Sequence, residues 1–137
     1  MRRGAELLIT ALLLSVATES TAQLRRNSVV RVEATAYCID GETASGAQTR
    51  KGIVAADPDV MPLGSRIRVD GLDDVEGLDR ALSRTYDVED TGRLIKGRII
   101  DIFMHSCDDA KEFGRRTAMV RVLKVGENDR VDQRTNN

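Results

Sequence analysis

The sequence predicts a small all-β domain, a barrel or a sandwich, carrying one short helix. Six stretches between Val29 and Val125 have the apolar alternation or the short apolar run of a strand. Clusters of Gly, Pro and Asp punctuate them, and one stretch alone carries helix start and stop signals. At 137 residues the chain suffices for one compact core and is short for two. Periodicity does not decide between a closed barrel and two stacked sheets.

Taken in order, Met1-Arg2-Arg3-Gly4, the apolar run Leu7 to Val16 and the small residues Ser20-Thr21-Ala22 have the plan of a secretory signal peptide, expected over residues 1–22. The apolar run is too short for a stable bilayer anchor, and no lipid-accepting cysteine follows it. The mature protein is therefore expected to be secreted or periplasmic, without a membrane anchor. Residues 23–28 form a short polar lead. Val30, Val32, Ala34 and Ala36 alternate with Arg31, Glu33, Thr35 and Tyr37, which predicts a half-buried first strand. Residues 39–49 are small and turn-forming, hence a loop, whose Thr43 and Ser45 are candidates to face a polar ligand.

Ile53-Val54-Ala55-Ala56 predicts a second strand, ended by Asp57-Pro58 because Pro58 has no amide to donate. After Met61-Pro62-Leu63-Gly64, Ser65, Ile67 and Val69 alternate in a third strand. Asp70 to Arg80, acidic and Gly-containing, is expected to be a surface excursion rather than core. Leu82 to Val88 predicts a fourth strand that delivers Asp90 at its end, with Tyr86, Val88 and Asp90 on one face. Arg98 to Met104 predicts a fifth. Ser106 is placed to cap a helix over Asp108 to Phe113, which Gly114 ends. Ala118, Val120 and Val122 mark the sixth strand, and residues 126–137 are a polar tail with no period, expected to be disordered.

Charge excludes one class of partner. Lys and Arg number 21 against 22 Asp and Glu, a net charge of -1, so no basic field is available to hold nucleic acid. Two Phe, two Tyr and no Trp leave few platforms for stacking bases. No cofactor is called for, and no dense oxygen-ligand loop suggests a metal. Cys38 and Cys107 can pair in an oxidising compartment or stay as small buried side chains; spacing leaves both open. Oligomeric state is not legible.

Asp101 is the anomaly. It interrupts the apolar run Ile99 to Met104, the composition of a strand covered on both faces, where desolvation penalises a carboxylate and raises its pKa. Strand formation does not call for that residue. A proton-holding acid does, because an ordinary Asp, with a pKa of about 3.9, is ionised at neutral pH.

The blocks Thr35-Ala36-Tyr37-Cys38, Thr43-Ala44-Ser45-Gly46, Gly52 to Pro58, Met61-Pro62-Leu63-Gly64, Glu89-Asp90-Thr91-Gly92, Ile95-Lys96-Gly97, Arg98-Ile99-Ile100-Asp101 and Phe113-Gly114-Arg115-Arg116 together resemble the 3D, or three-aspartate, domain. The resemblance spans Val30 to Val125 and implies a six-stranded double-psi β-barrel. This is the fold of the catalytic part of the membrane-bound lytic transglycosylase A family and is similar to barwin and expansin domains. It further implies peptidoglycan glycan strands as partner. The three aspartates fall on Asp57, Asp90 and Asp101, with Asp101 as the catalytic acid; Thr91, Ser45, Thr43 and Lys96 stand as candidates to bind substrate. Two departures are visible: a longer connector around Gly71 to Arg84, and Ser106-Cys107 where Ser-His or Ser-Thr is familiar.

The implied reaction is non-hydrolytic cleavage between N-acetylmuramic acid and N-acetylglucosamine, leaving a 1,6-anhydro end. Three aspartates in a sequence permit hydrolysis equally, since that choice depends on carboxylate separation. A non-catalytic wall-binding or wall-loosening module of the barwin and expansin kind is the competing expectation.

Overall fold

Alternation along the chain becomes alternation of direction in a closed wall. The computed structural model describes residues 22–73, 78 and 82–127, so the expected signal peptide, apart from its last residue, and the tail beyond Glu127 lie outside the described residues. The elements are β1 (Val29–Tyr37), β2 (Ile53–Ala56), β3 (Arg66–Asp70), β4 (Thr85–Asp90), β5 (Ile99–Phe103), α1 (Cys107–Phe113) and β6 (Arg116–Lys124). They close into a barrel in the order β1-β5-β2-β4-β3-β6. The pairs β1–β5 and β2–β4 are parallel, and the other four are antiparallel. Exchanging β1-β2-β3 with β4-β5-β6 leaves both the ring order and every strand sense unchanged. This interlocked, two-fold arrangement is the six-stranded double-psi barrel.

The barrel interior is apolar. Val32 and Ala34 of β1, Val54 and Ala56 of β2, Ile67 and Val69 of β3, Tyr86 and Val88 of β4, Ile100 and Ile102 of β5, and Ala118, Val120 and Val122 of β6 fill it. Burial at ~25 cal/mol per Å² is the main driving term for such a core. In α1, Ser106 accepts from the Asp109 amide at 3.1 Å as N-cap, and Gly114 takes a positive φ of 60° at the C-terminal end. Phe113 joins the core from the last turn.

Three expectations are corrected. The connector after β3 is not merely an excursion, because Leu72 and Leu78 are buried and belong to the core; Leu82, expected to open the fourth strand, is buried there too but precedes β4. Val60 and Met61, just past β2, are buried too. Because β2 runs parallel to β4 and β3 antiparallel to it, these two sets close opposite ends of the barrel. Secondly, β5 is not covered alike on both faces: Ile100 and Ile102 point inward, so Asp101 between them faces outward and is half-buried. Thirdly, Asp90 does not share a face with Tyr86 and Val88. The register of β2 on β4 shifts from Val54 opposite Val88 to Ala55 opposite Asp90, leaving Glu89 as an extra residue. That β-bulge turns Asp90 to the outer face.

Gly126 is held against the turn before β3. Its amide donates to Ser65 Oγ at 2.9 Å, and a Cβ there would stand 2.0 Å from the Leu63 carbonyl oxygen. Only glycine fits so close an approach.

Cys38 and Cys107 form a disulfide, joining the end of β1 to the start of α1 across 69 residues of sequence. Closing a loop of that length stabilises the folded state by about 4 kcal/mol in the chain-entropy account. Reduction, or the Cys38→Ser/Cys107→Ser pair, is expected to lower Tm by more than about 10 °C, read by calorimetry with and without a phosphine reductant.

Candidate active site

Register alone assembles the centre of the site. Thr35 of β1 lies opposite Asp101 of β5, Asp101 opposite Ala55 of β2, and Ala55 opposite Asp90 of β4. Thr35, Asp101, Ala55 and Asp90 thus form one row across four adjacent strands, on the outer face. Two interstrand steps of about 4.8 Å separate the aspartates, so their Cα atoms stand about 10 Å apart, with Ala55 between them in the row. A groove of about 280 Å³ opens over this row, lined on its floor by Tyr37, Ala55, Asp90 and Asp101. The loop after β1 contributes Asp40 and Glu42 to its wall.

The two carboxylates are held differently. Asp101 Oδ1 accepts from Thr35 Oγ1 at 2.7 Å. Asp90 accepts from three donors: the Tyr37 hydroxyl at 3.1 Å on Oδ2, and the amides of Ala44 at 3.1 Å and Thr91 at 2.9 Å on Oδ1. Burial pushes the Asp101 pKa up, the charge of Asp90 pushes it further, and the Thr35 bond opposes both. The Tyr37 phenol is raised as well, by burial first and by Asp90 second, so it stays a hydrogen-bond donor. The raised acid and its charged neighbour therefore occur together in one groove.

Asp57 stands elsewhere. It is 5% exposed, its Oδ2 accepts from the Gly97 amide at 2.7 Å and its Oδ1 from the Asp59 amide at 3.0 Å. Its carboxylate ties the turn after β2 to the loop between β4 and β5, the loop that carries Thr91 and Gly92 into the groove. The other candidates divide. Thr91 lines the groove. Ser45 donates its hydroxyl to the Glu89 carboxylate and shares a hydrogen bond of 3.1 Å with Thr43, which is buried. These two hydroxyls hold the 39–49 loop against the bulge and do not line the groove. Lys96 is exposed on the loop after β4 and does not line it either. Among the described residues, no group of three or more His, Cys, Asp and Glu side chains is placed to hold a metal.

Thr35, Tyr37, Ala55, Asp40 and Glu42 were not singled out by sequence reasoning. Thr35 and Tyr37 could have been placed on the outer face by the alternation of β1. What alternation lacks is the neighbour: nothing in it says that β1 lies against β5. The ring of Tyr37 packs edge-on against Phe103 at 5.5 Å, and Phe103 against His105 at 5.0 Å, so His105 sits at the far side of that stack from Asp90.

Comparison with known proteins gives a consistent picture. The family model described as the 3D domain matches residues 52–124. The cell wall-binding protein YocH of Bacillus subtilis (strain 168) is 38% identical over 101 residues, covering 67% of this chain and 31% of its own length. The putative cell wall shaping protein YabE of the same organism is 31% identical over 113 residues, covering 80% of this chain and 25% of its own. The chain thus spans less than a third of the length of the curated relatives it matches. Among solved structures, an alanine variant of the lytic transglycosylase MltA from E. coli superposes with a TM-score of 0.50 at 22% identity, over 65% of this chain and 29% of that one. E. coli MltA with bound chitohexaose gives the same values. At that identity the likeness establishes the barrel fold.

Two outcomes follow from the geometry. Asp57→Ala leaves the Gly97 amide without its acceptor and is expected to cost about 1–3 kcal/mol in a urea melt. Asp101→Asn is expected to stabilise. A carboxyl whose pKa is raised on folding loses stability as pH climbs from its unfolded to its folded value. The asparagine variant should therefore match wild type in Tm at pH 3 and exceed it at pH 7, with Asp101→Ala as a control for lost packing.

Proposed function

The chain belongs to the 3D domain family, and from that membership and the groove's geometry we propose that it is a peptidoglycan lytic transglycosylase of the cell wall, acting after export. The observation that carries the reading is Asp101 itself: an outward carboxyl with a raised pKa, in a groove shared with a second carboxylate. Such a pair separates the roles of proton donor and negative charge.

In the proposed reaction, protonated Asp101 gives its proton to the oxygen linking N-acetylmuramic acid to N-acetylglucosamine, and the bond from the muramyl anomeric carbon to that oxygen breaks. Positive charge develops at the anomeric carbon, where the negative charge of Asp90 across the groove opposes it. The Asp101 carboxylate then takes the proton of the muramyl 6-hydroxyl, whose oxygen closes on the anomeric carbon. A 1,6-anhydro end results, no water is consumed, and Asp101 finishes protonated as it began. Thr35 stays bonded to Asp101 Oδ1, leaving Oδ2 for the transfer. Thr91 lines the groove beside Asp90 to meet the sugar, while Asp57, Thr43 and Ser45 hold the surrounding loops. Lys96 is exposed nearby for contacts beyond the groove.

A second reading has a specific observation behind it. The relative of 38% identity is named for cell wall binding, and a barrel of this fold can serve as one module of a longer wall protein. On that reading the groove holds glycan without cleaving it.

Incubation of the mature protein with purified sacculi, followed by mass spectrometry of released muropeptides, separates the readings. Anhydro-ended fragments are expected, falling by about 10²-fold or more in Asp101→Asn. Reducing ends would replace the mechanism with hydrolysis, and sedimentation with sacculi without release would favour the binding module. The proton donor sets the alkaline limb of the pH dependence. Activity should decline as pH rises through the raised pKa of Asp101, because the proton is lost before transfer.

A further inference from the structure

We propose that Tyr37 is a positioning residue that acts through Asp90 to keep the proton on Asp101. The inference rests on the proposed function for its importance, but its physical content is a relation among three side chains. Tyr37 ends β1, two residues along the same face from Thr35, so β1 supplies the donor to each aspartate: Thr35 to Asp101 and Tyr37 to Asp90. One rigid strand therefore fixes both carboxylates at once.

Two acids in one groove would exchange the proton freely if their surroundings were alike. They are unlike because donors converge on Asp90, and of those three the phenol is the only one contributed by a side chain. The two amide donors come from loops, Ala44 before β2 and Thr91 after β4. The phenol comes from a strand, and its ring is held by Phe103 of β5. The backbone carbonyl of Tyr37 accepts from the Met104 amide at 2.8 Å, and the next residue carries the disulfide to α1. Main chain, ring and neighbour are all tied, so the hydroxyl has little freedom to follow Asp90 should that carboxylate move. A donor so fixed favours a charged acceptor in one place, and a charge fixed on Asp90 favours the proton on Asp101.

The groups facing this pair are few. From β5 comes Asp101, from β4 Asp90, and from the 39–49 loop Asp40 and Glu42 on the groove wall. Asp40 already accepts from Thr49 at 3.3 Å. Thr35 and Ala55 bear no charge. Asp40 and Glu42 are the same in every variant compared, so differences among the variants report on Tyr37, Asp90 and Asp101.

The test is a ¹³C-carboxyl NMR titration of Asp101 in the mature, disulfide-bonded protein, compared across wild type, Tyr37→Phe, Asp90→Asn and the double variant. Phenylalanine keeps the ring on Phe103, so the fold is retained, and Tm verifies that. Tyr37→Phe is expected to move the Asp101 midpoint downward, because the neighbouring carboxylate loses its fixed side-chain donor and opposes ionisation of Asp101 less firmly. In the Asp90→Asn background the same substitution is expected to leave the midpoint within about 0.2 units, since the path through Asp90 has gone. An unchanged midpoint in the single variant, or an equal shift with and without Asp90, would overturn the proposal. Turnover is not needed for this measurement, so failure of the transglycosylase reading shows separately, as sacculi that release no anhydro-ended product.

Discussion

A closed ring of six strands allows each side chain one of two directions, and its interior has no room for a charge. In this barrel the inward positions of every strand are apolar and fully packed, from Val32 to Val122. A carboxylate on the wall must therefore face out. That constraint places Asp101 where a ligand can reach it, while partial burial still takes away much of its water. Asp90 meets the same constraint by a different device. Strict alternation would have sent it inward beside Val88, and the extra residue Glu89 reverses it. The bulge is then secured from outside, by Ser45 and by Arg50, whose guanidinium stands 3.6 Å from the Glu89 carboxylate.

The two-fold arrangement of the ring makes the site's asymmetry legible. Under the exchange of halves, Asp101 of β5 corresponds to Ala55 of β2, and Thr35 of β1 to Asp90 of β4. The same backbone row is thus occupied twice over, once by hydroxyl and acid, once by acid and methyl. A second acid at position 55 would have stood directly against Asp101; the methyl instead leaves a groove floor. Fold and chemistry are separable here, since the symmetry belongs to the backbone and the departure from it to the side chains.

Much of this was present in the sequence. All six strands and the helix were readable from alternation, apolar runs and the Ser106 and Gly114 signals, and Asp101 stood out against its own strand. What was not readable has a common cause. Leu72 and Leu78 enter the core from irregular backbone, so they follow no period. The bulge at Glu89 is a shift in pairing and leaves no mark on the alternation of β4. Tyr37 and Ala55 acquire meaning only from which strands are neighbours, and neighbour relations are long-range. The family resemblance placed the three aspartates, yet it could not show that Asp57 is bonded to backbone while the other two share a groove.

The ring order has a consequence for how such a chain reaches its folded state. Only β3 and β4 are neighbours both in sequence and in the wall; every other pairing joins distant segments, and β1 waits for both β5 and β6. Pairing of that kind is slow, because chain must be ordered over long separations before contacts reward it. Neither half of the ring can close alone. The row that carries both aspartates therefore forms late, once β5 has joined both β1 and β2.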